Sequence, residues 1–246
     1  MNKPFKTYNG GKAGHGVYQN IINHIPQCDI YIEPMVGNGG VLHNLQLPNH
    51  IVINDLDRSV IDKYSTDTFN VDTVDRLNLS YEIIILKYDF QFFRTRSRVF
   101  FYFDPPYHFD TRKSKRNIYK YEWTHEQHLM FLQLANSIES NCMISHYPCE
   151  LYDTMLKGWR TFDFTCMTRK GQRTERLYMN YPEPAVLQDY RYAGTDYRER
   201  QRIKRKVDRH VNKLESLPND ERNAIISSII AKYGATAESL ILNNKS

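Results

Sequence analysis

The residues with the clearest chemical capacity are Asp104-Pro105-Pro106-Tyr107, which close an apolar run from Val99 to Phe103. A buried strand ending this way puts three groups at one sheet edge. Asp104 offers a carboxylate acceptor. The Pro105 carbonyl is a second acceptor, freed because neither the Pro105 nor the Pro106 nitrogen can join a ladder. Tyr107 adds a flat aromatic face. Two acceptors suit an exocyclic NH2, which has two hydrogens to donate, and the ring suits the base that carries it.

A second chemical stretch is Glu33-Pro34-Met35-Val36-Gly37-Asn38-Gly39-Gly40, read as a turn between a strand and a helix. Glycines there let the backbone approach a ligand closely, as in nucleotide-binding βα turns. The Gly-x-Gly-x-x-Gly spacing of a dinucleotide site is absent, which argues against a nicotinamide-dependent oxidoreductase, and no Gly-Lys-Ser/Thr follows, which argues against a P-loop. Asp55 ends the next strand, where an acidic side chain accepts from ribose hydroxyls. An adenosine-containing ligand with its charged part over the glycines is the expectation, and Glu33 could hold its ammonium group. Tyr8-Asn9-Gly10-Gly11-Lys12 is a third element. Folded over the glycine turn, it would bring Lys12 to a ligand carboxylate with Tyr8 beside it.

These groups need a scaffold, and 246 residues with 41% hydrophobic and 25% charged composition suit one α/β domain with a small appendage. Asp29 to Glu33, Ile51 to Asn54, Tyr81 to Leu86, Val99 to Phe103 and Cys142 to Ser145 read as strands. Thr124 with Gln127 reads as a capping box opening a helix through about Ile138. Trp159 to Met167 and Arg176 to Tyr181 read as a hairpin turning at Arg169-Lys170-Gly171-Gln172. Strands mixed with helices and closed by a hairpin predict an α/β sheet with antiparallel strands at one edge. Residues 1–188 form this domain, and 189–246 a basic helical extension. Its stripe of Ile225, Ile226, Ile229 and Ile230 is expected to pack on the domain, a second copy or an accessory subunit.

Cys28, Cys142, Cys149 and Cys166 form no Cys-x-x-Cys pair, which argues against zinc and for thiols in a reducing compartment. No apolar run approaches the roughly 18 residues of a membrane span and the start has no signal-like apolar stretch, so a cytoplasmic location is expected. The net charge of +5 is unevenly spread. Arg94, Arg96 and Arg98 precede the Asp-Pro-Pro-Tyr segment and Arg112, Lys113, Lys115 and Arg116 follow it, where a polyanion could approach.

In combination and order, the aromatic-x-Gly-Gly-Lys start, Glu-Pro-x-x-Gly-x-Gly, Asn54-Asp55 and Asp-Pro-Pro-Tyr resemble the Dam-like family of S-adenosylmethionine-dependent DNA adenine methyltransferases. The resemblance covers roughly residues 5 to 184 and extends more weakly to Tyr88-Asp89-Phe90. It implies a Rossmann-like seven-stranded sheet with a reversed terminal hairpin. It also implies S-adenosylmethionine bound by Tyr8, Lys12, Glu33, Met35, Gly37, Gly39 and Asp55, with Asp89 and Phe90 bordering its adenine and Asp104 beside it. Asp104, Pro105, Pro106 and Tyr107 would receive a flipped adenine, and no metal is required. Tyr8 stands where the family usually has tryptophan and Met35 where it has phenylalanine; both keep an apolar surface. The larger departure is the missing recognition insert, since only Gln91 to Arg98 separate the Asp89 motif from the strand before Asp104. The implied partner is DNA, with RNA and a catalytically silent nucleic-acid-binding protein as the alternatives.

Overall fold

The computed structural model describes residues 11–14, 16–65, 68–93, 97–112, 119–168 and 171–241. Seven strands build one sheet: β1 (Ile30–Glu33), β2 (His50–Asn54), β3 (Thr73–Leu77), β4 (Val99–Phe103), β5 (Asn141–His146), β6 (Arg160–Thr168) and β7 (Gly171–Met179). Their spatial order is β3-β2-β1-β4-β5-β7-β6. The first five run parallel, and β7 enters antiparallel between β5 and β6. This is a Rossmann-like sheet with a reversed terminal hairpin. The order reverses between β1 and β4, and in such sheets ligands bind outside the carboxyl ends of the strands at that switch.

Strand β4 is the spine. All five of its residues are buried, as befits a parallel strand covered on both faces. Phe100 and Tyr102 face a core shared with α1 (Val17–Ile22), while Val99, Phe101 and Phe103 face one shared with α3 (Tyr81–Phe93) and α4 (His125–Ala135). Truncating Phe101 to alanine would cost about 3–5 kcal/mol of stability. Helix α4 opens on the expected box: Thr124 Oγ1 accepts from the Gln127 N–H, and Gln127 Oε1 accepts from the Thr124 N–H.

One expected strand is a helix. Tyr81 to Leu86 starts α3, with Ile84, Ile85 and Tyr88 buried and Ile83 and Leu86 exposed. The third strand is instead Thr73–Leu77, a sheet-edge strand whose Thr-Val-Asp-Arg-Leu sequence lacks an apolar run.

The chain beyond β7 stays on the domain past residue 188. Gln188 donates its N–H to the Ile25 carbonyl and accepts the Cys28 N–H, while buried Asp189 accepts from Gln46 and Arg191. Short helices α2 (Arg58–Ile61) and α5 (Glu150–Met155) follow β2 and β5, and two longer ones, α6 (Tyr197–Glu215) and α7 (Asn219–Ile241), come after this stretch. The isoleucine stripe does not pack on the domain: Ile225 and Ile226 are 40% exposed, Ile229 and Ile230 45%. No helix among the described residues is long and apolar enough to cross a membrane. Cys28, Cys142 and Cys166 are buried free thiols, and Cys149 is half-buried.

Candidate active site

The carboxyl ends of β1, β2 and β4 open into a cavity of about 390 Å3, lined among others by Lys12, Glu33, Met35, Gly37, Asp55 and Asp104. The glycine turn forms its floor. Gly39 has a positive φ of 56°, a conformation that glycine adopts without steric cost. Gly40 is fixed for another reason: a Cβ there would lie 2.6 Å from the Ala13 nitrogen and 2.8 Å from the Lys12 carbonyl carbon. The Lys12 loop therefore does fold over the glycine turn.

The Asn54-Asp55 pair divides two tasks. Asn54 is a staple: its amide donates to the Pro34 and Leu79 carbonyls at 2.8 and 3.0 Å and accepts the Leu79 N–H at 2.9 Å. This ties the turn after β1 to the loop after β3. Asp55 faces the cavity and accepts the Gly37 and Asp57 N–H groups at 3.0 and 2.8 Å. Burial pushes its carboxyl above the ordinary value, with those two N–H groups opposing.

Lys12 is held by partners within the fold. Its ammonium donates to Asp104 Oδ1 at 2.5 Å and to the Tyr107 hydroxyl at 2.7 Å, and lies 3.3 Å from Glu175 Oε1. Glu175 comes from β7, whose antiparallel course pairs Arg176 with His146 at the carboxyl end of β5. Burial disfavours the Lys12 charge, yet Asp104 and Glu175 outweigh it and hold its pKa above the ordinary lysine value. Burial raises both carboxyl groups, and Lys12 opposes that rise. Ser145 also donates to Asp104 Oδ1, at 3.3 Å. Both contacts fall on Oδ1, which leaves Oδ2 to accept from a substrate.

Tyr107 is not a stacking platform. Its ring lies 4.0 Å from that of Tyr147 at 6°, its hydroxyl donates to Glu175, and it is 5% exposed. The cavity's aromatic surface comes from Tyr81, Tyr119, Tyr121 and Trp123, beside Pro105 and Pro106. Asp89 is also elsewhere. It accepts the Glu139 and Ser140 N–H groups ahead of β5, at the amino edge of the sheet, opposite the cavity. In its place, Leu79 to Glu82 line the cavity beyond β3. Two buried cavity atoms there have no hydrogen-bond partner, Asn38 Oδ1 and Glu82 Oε2.

The basic positions divide likewise. Arg98 precedes β4 at the amino edge and is neutralised by Asp29 at 2.6 Å. Arg112 is buried, paired with Glu122 at 2.9 and 2.7 Å and stacked on Phe109. Tyr8, Arg94, Arg96, Lys113, Lys115, Arg116 and the Phe90 side chain lie outside the described residues. Sequence reasoning missed Glu175, Glu82 and Trp123 as site residues; the end of the loop after Asp-Pro-Pro-Tyr, Tyr119 to Tyr121, does line the cavity, and Lys120 there reaches Asp57 at 2.9 Å.

Glu33, Asp55, Asp57, Glu82 and Asp104 all line this one cavity, against Lys12 and Lys120. Such an acceptor-rich site suits a cationic ligand bearing hydroxyl and amine donors. S-adenosylmethionine fits that donor set: Asp55 would take ribose hydroxyls, Glu33 the ammonium group, and Asn38 or Glu82 its remaining donors.

No protein-family model matches the chain, and no curated protein matches it. Solved structures of similar fold include TrmK of M. capricolum in complex with S-adenosyl-homocysteine, 8% identical, covering 90% of this chain and 96% of that one, TM-score 0.44. An rRNA methylase from Streptococcus thermophilus is 12% identical over 66% of this chain and 91% of its own, TM-score 0.42. Magnesium protoporphyrin IX methyltransferase from Synechocystis PCC 6803 is 12% identical over 62% and 70%, TM-score 0.40. The fold assignment rests on the strand order itself, and function has to be argued from the site.

Proposed function

We propose that the protein is an S-adenosylmethionine-dependent methyltransferase acting on the N6 amine of adenine in DNA. The observation that carries this reading is that Asp104-Pro105-Pro106 and the Asp55–glycine-turn floor line one continuous cavity. An amine acceptor and a nucleoside-binding carboxylate thus face the same space.

When bound, the cofactor supplies an electrophilic methyl group on a sulfonium. The protein's part is to bind, orient and stabilise. Adenine's N6 lone pair is delocalised into the ring, which makes the amine a poor nucleophile. Asp104 Oδ2 and the Pro105 carbonyl accept its two hydrogens, turn the lone pair toward the methyl group and stabilise the positive charge that develops on nitrogen. Lys12 and Ser145, both on Oδ1, fix the carboxylate plane. In-line placement of nitrogen and methyl adds an orientational contribution. The base leaves the duplex to enter, and Tyr119, Tyr121 and Trp123 offer the surface on which it stacks.

The test is transfer of tritium from methyl-labelled S-adenosylmethionine to DNA and, in parallel, to RNA, by the parent and by Asp104→Ala. Incorporation into DNA that falls on the order of a hundredfold or more in the variant is expected. Preferential labelling of RNA would reassign the substrate, and equal rates in parent and variant would remove Asp104 from the reaction.

A further inference from the structure

Arg98 and Arg112, two of the cations expected to grip a polyanion, are neutralised within the fold by Asp29 and Glu122. Among the described residues, exposed positive charge is gathered on α6. At about 100° per residue, Arg198, Arg202, Arg205, Lys206, Arg209 and Lys213 fall within roughly 100° of arc. All six are exposed. They form a stripe about 22 Å long at 1.5 Å per residue. Among the acidic residues of α6, Asp208 and Glu215 lie off the stripe, and Glu199 pairs with Arg202 at its margin. The helix is held at its first turn. Asp196 caps it by accepting the Glu199 N–H, and Arg200 donates to Asn20 in α1 at 3.3 Å.

We propose that this α6 stripe is a nucleic-acid-binding surface that grips the phosphodiester backbone without reading sequence. A row of cations on one helix face matches a regular row of phosphates, and Lys and Arg at such contacts position the polymer rather than specify bases. An anionic membrane fits the geometry poorly. Ile203, Val207, Val211 and Leu214 form the apolar face, about 145° around the helix from the cations. Arg200 falls inside that apolar arc and donates to Asn20 of α1, so laying this face into a bilayer would bury a guanidinium and break the helix's hold on the domain. Only the identity of the polyanion, substrate DNA, rests on the proposed function.

The full chain and a variant carrying Arg202→Gln, Arg205→Gln, Arg209→Gln and Lys213→Gln are compared for binding a labelled mixed-sequence duplex across salt concentrations. Circular dichroism checks that helix content is kept. The parent should show a steep fall of log affinity with log salt. The variant should show a slope shallower by about 0.9 for each phosphate that is no longer neutralised, roughly 3 to 4 in all. Affinity should fall at least tenfold at low salt for every duplex sequence, while Lys204→Gln, off the stripe, leaves the slope unchanged. A helical variant with the parental slope overturns the proposal. So does a parent that binds phosphatidylserine vesicles but no duplex. If stripe-dependent binding is found and the parent transfers no methyl group, the surface stands and the methyltransferase reading falls. If methyl transfer occurs with an unaltered salt slope in the variant, the reverse holds.

Discussion

Replacing Lys12 by methionine keeps an unbranched chain and removes the one ammonium between two buried carboxyl groups. In the parent that ammonium lies 2.5 Å from Asp104 Oδ1 and 3.3 Å from Glu175 Oε1. Removing one partner of a buried ion pair typically costs about 3–5 kcal/mol if the remaining charge persists. The carboxyl groups have an alternative, which is to take up a proton. Taking up a proton removes the unpaired charge and so relieves that cost. Burial already holds the Asp104 carboxyl above its ordinary value, with Lys12 the main force opposing it. Loss of Lys12 therefore moves Asp104 further toward its neutral form, and a neutral acid would stabilise positive charge on the amine less well. The expected result in Lys12→Met is a rate at pH 7 lower by on the order of a hundredfold. The acid limb of the profile should move to higher pH, with partial recovery in alkali. Single-turnover methyl transfer at saturating cofactor across the pH range measures both. A folded variant whose profile superimposes on the parent's after scaling would refute the idea that Lys12 sets the ionisation of Asp104.

Asp55→Ala should raise the KM for S-adenosylmethionine far more than it lowers kcat, because a ribose contact is equally strong in ground and transition states; unchanged cofactor affinity by calorimetry contradicts this. Glu175→Gln tests the same buried cluster through stability. Burial raises the Glu175 carboxyl, Lys12 opposes and Asp104 adds to the rise. Its pKa is therefore higher folded than unfolded, so the parent loses stability as pH climbs from the ordinary carboxylate range through the folded value. The variant lacks that loss, and denaturant unfolding should show the difference moving in its favour as pH climbs above the ordinary carboxylate range. Movement the other way would count against a raised Glu175.

Individual strands were readable where burial leaves a strong pattern. Val99 to Phe103 is apolar throughout because both faces are covered, and the glycine turn and Thr124 box carry local backbone chemistry in their own sequence. Reading failed where tertiary context decides. Tyr81 to Leu86 is a short apolar run of branched residues, which a strand and a buried helix share. Thr73–Leu77 lies at the sheet edge with polar residues and has no signal of its own. The site shows the same division. Asp104 and Asp55 are legible as strand-end carboxylates. The pairings of Arg98 with Asp29, Lys12 with Glu175 and Tyr107 with Tyr147 join residues far apart in sequence. Arg112 and Glu122 are nearer neighbours, but burial rather than spacing makes that pair a clasp. A basic residue read as a free cation, or a tyrosine read as a free face, is therefore the reading most exposed to correction.

The position of the transferred methyl group tests the central claim most directly. DNA incubated with the protein and methyl-labelled S-adenosylmethionine is digested to nucleosides and resolved by mass spectrometry. If Asp104 and the Pro105 carbonyl hold an exocyclic amine in line with the methyl group, the label appears on N6 of deoxyadenosine and vanishes with Asp104→Ala. Label on a ring carbon or ring nitrogen, persisting in that variant, would mean that the Asp-Pro-Pro-Tyr edge does not present the acceptor amine.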